Sequence, residues 1–248
     1  MRTLVYNIYA LHGYLHPRGQ QRPRPAGQNP TEWAKLIADI ITLCEVNNEP
    51  SAQSIADQID LTCIYYAGHL DVAGALLTSF PIIEQANLPE VSVPEGTFVA
   101  HWGRSLLETP YGSLVVLNLH PAARSGPEVI HQEVSLVAKM AADDLASGHS
   151  VIVQGDFNHV PHAPHAQTWK KAGLTDCFQK TGGIKDNGKT LVRPEPVARL
   201  NYILAAGTIL NRLNHFEIPS NLELRPDPKN PARIVLSNHL PILADFSD

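Results

Sequence analysis

Short apolar runs alternate with helical patterns along the chain. Apolar residues at positions 130, 134, 137, 141 and 145 recur at helical spacing, so the pattern predicts an amphipathic helix between residues 127 and 148. A second helix is predicted to open near residue 29, with Thr31 as its N-cap. Runs rich in β-branched and aliphatic residues predict strands. These runs cover residues 3–9, 39–45, 72–78, 113–119, 150–154, 200–205 and 240–246.

Alternation of this kind, without an internal repeat or a linker-like stretch, predicts an α/β fold in one domain over residues 1–248. Hydrophobic residues make up 44% of the chain, and 19 basic against 24 acidic side chains give a net charge of −5. This balance excludes a largely disordered chain. It also disfavours a strongly basic protein that coats nucleic acid, although a local basic patch is compatible with it.

Cysteine use and hydropathy bear on location. Cys44, Cys63 and Cys177 are scattered, which indicates neither a disulfide framework nor a paired-cysteine metal site. The first apolar stretch is short and contains Asn7, unlike a secretory signal. No stretch reaches the ~18 apolar residues of a membrane span. We therefore expect a soluble, reduced, cytoplasmic protein without a membrane span.

Polar residues that bind metals or move protons stand at the ends of several predicted strands, where open α/β sheets place their sites. One such residue alone is usually a cap or a solvated loop residue. Six coincidences of this kind indicate a functional site. The six residues are Asn7, Glu45, His120, Asp156, Asn158 and His239.

The motifs that contain these residues occur in the order found in a known family. The most specific is Gly-Asp-Phe-Asn at residues 155–158, directly after an apolar run. The others cover residues 6–8, 39–46, 74–82, 116–120, 199–203 and 237–241. From residue 3 to residue 246 the chain resembles the endonuclease/exonuclease/phosphatase superfamily of metal-dependent phosphoesterases. His120 places it nearer the deoxyribonuclease and sphingomyelinase branch than the abasic-site endonucleases.

The resemblance implies a four-layer α/β sandwich, with two mixed β-sheets packed face to face and helices outside. It further implies hydrolysis of a phosphodiester or phosphomonoester by metal-assisted attack of water. Glu45 and Asn7 would supply oxygen ligands to Mg²⁺ or Mn²⁺. A cation held there would polarise the phosphoryl oxygens.

The remaining motif residues would carry the catalytic roles. Asp156 would orient or deprotonate the water, and Asn158 would hydrogen-bond the phosphate. His239 and His120 would bracket the phosphorus and donate hydrogen bonds or a proton to its oxygens.

Two positions depart from the family pattern. Asn201 replaces the Asp that orients the catalytic His, and Asn238 replaces an Asp that contributes to the metal site. Each exchange removes a negative charge and keeps the shape. Asn201 can still accept a hydrogen bond from His239 but compensates an imidazolium poorly, and a neutral Asn238 lowers metal affinity. We therefore expect weakened or altered activity.

Other functions stay open at this point. The chain could be a catalytically silent member that binds a phosphorylated ligand or a partner, a nuclease, or a hydrolase of less charged phosphotriesters. A small phosphorylated substrate is favoured over nucleic acid because the acidic chain lacks a stripe of aromatic and basic residues.

Three further motifs carry weaker signals. Residues 183–190 match the phosphate-loop spacing, but nearby prolines argue against the helix that such a loop needs, which favours a surface turn. His159, His162 and His165 could add a metal site, although a loop bordering the cleft is favoured. Arg18, Arg22 and Arg24 stand in a loop that either attracts an anion or is merely solvated.

Overall fold

Two six-stranded mixed sheets form the centre of the protein in a computed structural model. The structure describes residues 1–8, 14–15, 20–21, 38–68, 72–87, 100–121, 126–183, 188–192, 196–219, 234–235 and 237–247. The helix predicted near residue 29 and the loop with Arg18, Arg22 and Arg24 lie outside the described residues.

The first sheet contains one parallel pair of strands, β1 with β4, and antiparallel neighbours elsewhere. Its strand order is β15-β17-β1-β4-β6-β5. The strands are β1 Arg2–Asn7, β4 Ile40–Val46, β5 Thr62–Tyr66, β6 Ala73–Thr78, β15 Leu213–Glu217 and β17 Ile242–Phe246.

The second sheet repeats this arrangement, with β9 and β10 as its parallel pair. Its strand order is β11-β14-β10-β9-β8-β7. The strands are β7 Ile82–Asn87, β8 His101–Thr109, β9 Gly112–His120, β10 Ser150–Asp156, β11 Thr175–Asp176 and β14 Asn201–Ala206.

Short strands and helices complete the described chain. A three-stranded sheet joins β16 Ile234–Val235, β2 Tyr14–Leu15 and β3 Gln20–Gln21, and β12 Leu191–Val192 pairs with β13 Pro196–Ala198. The helices are α1 Glu49–Gln58, α2 Gly126–Ala146, α3 Ala166–Lys171, α4 Cys177–Lys180 and a 3₁₀ helix at Thr208–Arg212. None of the described helices is long and apolar enough to cross a membrane.

Three apolar clusters separate four layers. Side chains such as Val5 and Ile152 fill the space between the two sheets. On the outer face of the first sheet, Leu4 belongs to a cluster that includes residues of α1. On the outer face of the second, Val153 packs with residues of α2 such as Val134. Because successive side chains of a strand point to opposite faces, each central strand serves two layers. The predicted four-layer sandwich is confirmed.

Polar contacts also cross the layer between the sheets. Thr3 Oγ1 donates to Gln154 Oε1 at 2.8 Å, and Gln154 Nε2 donates to Thr42 Oγ1 at 2.8 Å. All three residues are fully buried. Since buried polar groups are costly unless they are paired, these bonds hold the two sheets in one relative register.

The predicted strands and the long helix are all present, with ends shifted by at most two residues. The pattern missed α1, β5, β7, β8 and β15, together with α4, the 3₁₀ helix and the strands of two or three residues. The three cysteines are free, as expected.

Candidate active site

The site lies where the two parallel strand pairs end. Asn7 ends β1, Glu45 is the penultimate residue of β4, His120 ends β9 and Asp156 ends β10. Asn7, His120 and Asp156 have the same parity as residues such as Val5, Val116 and Ile152, which fill the space between the sheets. Their side chains therefore share the inner face, at the open end of the layer between the sheets.

Asn7 joins the two carboxylates of the site. Its Nδ2 donates to Glu45 Oε1 and to Asp156 Oδ2, both at 2.9 Å. Asn7 and Asp156 are buried, whereas the Glu45 side chain is 28% exposed. Among the described residues, the cationic groups within 4 Å of these two carboxylates are imidazoles. Two carboxylates thus converge with only an amide and imidazoles between them.

Glu45 reaches this position through an irregular backbone. The pairing of β4 with β6 shifts register between Cys44 and Val46, and Glu45 has φ +56°. A bulge of this kind redirects one side chain out of the strand alternation. A left-handed conformation costs a non-glycine residue about 1–2 kcal/mol. The fold holds Glu45 in a strained conformation that presents its carboxylate to Asp156.

His120 completes a compact group of potential metal ligands. Its Nε2 lies 3.9 Å from Glu45 Oε1 and 3.9 Å from Asp156 Oδ2. The ligand atoms of Glu45, His120 and Asp156 all lie within 4.8 Å of one another. One nitrogen and two carboxylate oxygens therefore surround one point. His120 thus stands among the potential metal ligands, whereas the sequence predicted that it acts on the phosphorus.

The electrostatics keep Asp156 ionised. Burial by itself raises the pKa of this carboxyl, but the imidazoles of His239 and His120 and the hydrogen bond from Asn7 outweigh burial and hold the pKa below its ordinary value. An anionic Asp156 is the form that binds a cation or accepts a proton from water.

His239 and Asn201 form a hydrogen-bonded pair next to Asp156. His239 Nδ1 lies 2.9 Å from Asn201 Oδ1 and 3.5 Å from Asp156 Oδ2. Thr190 fixes Asn201, because its hydroxyl accepts from the Asn201 backbone N–H at 3.2 Å and donates to Asn201 Oδ1 at 3.3 Å. Asn201 is thus positioned like an orienting acceptor but carries no charge.

The Gly-Asp-Phe-Asn motif forms a tight turn at the end of β10. A Cβ at Gly155 would lie 2.0 Å from the backbone oxygen of Leu119, so only glycine fits there. Asn158 has φ +50°, and its backbone N–H donates to Asp156 Oδ1 at 3.1 Å. Its Nδ2 donates to Pro121 O at 2.8 Å, which fixes the side chain and leaves the second N–H of the amide.

Asn238 precedes His239 in the segment that follows β16. Its Oδ1 is buried and has no hydrogen-bond partner among the described residues. A buried acceptor without a partner costs about 1–3 kcal/mol. A cation or a protonated ligand would remove this cost. The two carboxylates and the imidazole of the site form a donor set that fits a divalent cation.

The weaker motifs are resolved by their surroundings. After Gly188 the described chain continues into strand β12 rather than a helix, which argues against a phosphate loop. His159 is engaged at both ring nitrogens, by Val160 O and by the Trp169 indole N–H. The segment after Pro164 forms the short helix α3.

The sequence pattern did not single out Thr190 as a site residue, although Thr190 supports Asn201 through hydrogen bonds. The position of its buried hydroxyl depends on the pairing of residues 190 and 198, and both residues are remote from His239 in the sequence. The sequence offers no signal for it.

Comparisons with known proteins identify the family of the chain and solved structures that share its fold. The model of the endonuclease/exonuclease/phosphatase family matches residues 4–237. None of the curated proteins is detectably similar in sequence.

Solved structures share the fold at low sequence identity. A 3′-5′ exonuclease from Neisseria meningitidis has a TM-score of 0.72 at 15% identity, with 100% of both chains covered. A 3′ phosphatase from Neisseria, bound to a product DNA hairpin, has a TM-score of 0.71 at 15% identity, again with 100% of both chains covered. The catalytic domain of human Nocturnin, with a bound sulfate anion, has a TM-score of 0.68 at 17% identity and covers 100% of this chain and 93% of its own. On the strength of the family match over nearly its whole length, the chain belongs to the endonuclease/exonuclease/phosphatase family.

Proposed function

We propose that the protein is a divalent-metal-dependent phosphoester hydrolase in which Glu45, His120 and Asp156 hold the cation. The observation that carries this proposal is the convergence of Glu45 Oε1 and Asp156 Oδ2 on one Asn7 nitrogen and on His120 Nε2. Asn238 would supplement the ligand set with its buried amide oxygen. Asn7 would do so once its amide turns Oδ1 instead of Nδ2 towards the two carboxylates. When bound, the cation supplies Lewis-acid polarisation of the phosphoryl group and favours ionisation of water.

The ligand chemistry favours Mn²⁺ over Mg²⁺. Both ions accept carboxylate and amide oxygens, but imidazole suits transition metals better than it suits Mg²⁺. The distances support a second role for His120, as a nitrogen ligand.

Asp156 and the residues around it carry out the proton transfer and stabilise the charge on the phosphate. Asp156 accepts a proton from the attacking water at a carboxylate oxygen. His239 lies 3.5 Å from the same carboxylate and donates a hydrogen bond to phosphate oxygens as they gain charge. The free N–H of Asn158 orients the phosphate.

We infer that this activity is weakened by Asn201 and Asn238. The neutral Asn201 leaves Asp156, at 3.5 Å, as the nearest anion to a protonated His239 among the described residues. Asp156 then has to accept a proton and to stabilise the His239 imidazolium at the same time. Because one carboxylate cannot do both fully, the rate of turnover falls.

The substrate is proposed to be a small phosphodiester or phosphomonoester. The acidic charge balance supports this, whereas the Neisseria phosphatase bound to a DNA hairpin does not favour a small substrate. A nuclease is therefore the second candidate. Free cysteines support a cytoplasmic location.

The test is a hydrolysis panel with Mn²⁺, with Mg²⁺ and with EDTA. The substrates are p-nitrophenyl phosphate, bis(p-nitrophenyl) phosphate, a neutral p-nitrophenyl triester and a DNA hairpin with a 3′ phosphate. We expect turnover of a small ester with Mn²⁺, none with EDTA, and loss in Glu45→Gln. Glu49→Gln, an exposed change in α1, is the matched control and keeps the wild-type rate. Cleavage of the hairpin's internucleotide bonds alone would identify a nuclease, and release of its 3′ phosphate alone would identify a phosphatase that acts on DNA ends. No turnover of any substrate would favour a silent binding protein.

A further inference from the structure

A second cavity lies on the outer face of the second sheet, away from the active site. It has a volume of about 240 Å³ and is bounded by α3, β11, α4 and β14. Tyr202 and Leu204 of β14 line it, whereas their neighbour Asn201 belongs to the active site on the inner face. We call this space the outer cavity.

Part of the lining of the outer cavity is apolar. Trp169, Leu174, Tyr202 and Leu204 contribute to this surface, and all four are buried. The His159 ring also lines the cavity and is held by hydrogen bonds at both nitrogens. Burial lowers its pKa to about 4, so it is neutral at physiological pH. An apolar part of a ligand can pack against these side chains.

A buried cation faces the same space. Arg199 is 5% exposed, forms an ion pair with Asp176, and lies with its guanidinium carbon 4.4 Å from the centre of the Tyr202 ring. Its Nε has no hydrogen-bond partner among the described residues. An unsatisfied N–H on a buried charged group is costly, and an anionic oxygen is the partner that best removes the cost.

The charges around the outer cavity also favour an anion. Lys170 is exposed at its mouth. Asp176 is the only carboxylate among the described lining residues, and it is committed to Arg199 and to the backbone N–H of Phe178 at 3.1 Å. An incoming anion therefore meets one uncompensated positive charge and no free negative charge.

We propose that the outer cavity binds a small planar anion, an aromatic carboxylate or phosphate, with its anionic group at Arg199 and Lys170 and its ring against Trp169 and Leu174. The volume lies below the ~300–1,000 Å³ of sites for drug-sized ligands, which limits the ligand to about one ring system. This site does not depend on the phosphoesterase proposal.

The test uses full-length ¹⁵N-labelled protein in EDTA, so that no turnover occurs. Benzoate and phenyl phosphate are titrated to about 10 mM, a range that detects millimolar dissociation constants. We expect saturable shifts of the Arg199 Nε–H and Trp169 Nε1–H resonances. The tighter of the two probes identifies the anionic group. Benzamide, a neutral molecule of the same shape as benzoate, binds at least fivefold more weakly.

Variants at the mouth keep the test independent of folding, because Arg199 itself is part of the packed interior. Lys170→Glu weakens benzoate binding about fivefold, the effect of an exposed ion pair of about 1 kcal/mol. Lys171→Glu, the exposed neighbour that does not line the cavity, leaves binding unchanged. Gln179→Trp fills the mouth and abolishes binding, while Glu45→Gln has no effect.

Three results would overturn the proposal. They are the absence of saturable shifts with either anion, equal binding of benzamide and benzoate, and equal weakening by Lys170→Glu and Lys171→Glu.

Discussion

His239 Nδ1 lies 2.9 Å from Asn201 Oδ1, so a neutral amide orients the imidazole of the candidate active site. The geometry is that of an orienting pair, and Thr190 holds the amide from behind. The contact lacks only the charge that would stabilise a protonated ring. Activity should therefore respond strongly to a change of one atom.

Asn201→Asp restores this charge without changing the shape. In serine proteases the reverse change at the corresponding residue costs about 10⁴ in turnover, so we expect kcat to rise at least about tenfold. Steady-state kinetics with Mn²⁺ and bis(p-nitrophenyl) phosphate measure this. Asn48→Asp is the control, since Asp caps α1 as well as Asn does. An unchanged or lower kcat would show that the amide does not limit the rate.

Asn238→Asp converts a buried acceptor without a partner into a charged ligand. Because the number of charged ligands tunes the affinity for divalent cations, we expect the Kd for Mn²⁺ to fall about tenfold. Isothermal titration calorimetry measures the change. The exposed Asn214→Asp carries the same charge and leaves the Kd unaltered. Equal Kd values for wild type and Asn238→Asp would place this residue outside the cation site.

Glu45→Gly is expected to remove cation binding without lowering the thermal stability of the metal-free protein. The change relieves the strain of the left-handed backbone at residue 45. It also removes the Glu45 carboxylate from beside the Asp156 carboxylate. Relief of about 1 kcal/mol offsets the flexibility that glycine adds. Thermal unfolding in EDTA should show a Tm at or above that of the wild type. Glu49→Gly, in a helical conformation, should lower it. A large drop in Tm for Glu45→Gly would mean that the backbone is not strained there.

Acid should destabilise the fold between pH 6.5 and about 4. Burial lowers the pKa of His159 from 6.5 to about 4, so in this window the unfolded chain binds more protons than the folded one. Stability is full above pH 6.5 and falls by up to about 3 kcal/mol as the pH drops towards 4. Urea unfolding at a series of pH values measures the slope.

His159→Gln should reduce this slope, because Gln does not titrate and can still accept from Trp169. The exposed His162→Gln should leave it unaltered. Part of the slope remains in His159→Gln, since burial also lowers the pKa of His101, to about 3. A slope that His159→Gln leaves intact would contradict the assignment.

The sequence was informative where a regular pattern carries the structure. Asn7, His120 and Asp156 end parallel strands, and such ends meet at one edge of a sheet, so their convergence follows from strand pattern alone. The long helix was equally clear from its apolar spacing. The four layers, in contrast, were predicted through the family resemblance.

Other features depend on contacts that no local pattern records. The left-handed backbone of Glu45 comes from a bulge that only the pairing with β6 creates. Strand β8 was missed because His101, Gly103 and Arg104 interrupt its apolar run. Arg104 is nevertheless accommodated by an ion pair with Asp144 of α2 at 2.7 Å. The outer cavity likewise depends on Arg199 meeting Asp176, 23 residues earlier in the chain.

The central claim is that Glu45, His120 and Asp156 build one divalent-cation centre, and Mn²⁺ electron paramagnetic resonance tests it most directly. Titration of the full-length protein should show one tightly bound Mn²⁺, with a ¹⁴N modulation from an imidazole ligand. The modulation should vanish in His120→Gln and persist in His239→Gln, and Glu45→Gln should weaken binding itself. A protein that binds no Mn²⁺, or that binds it equally well without the Glu45 carboxylate, would contradict the account.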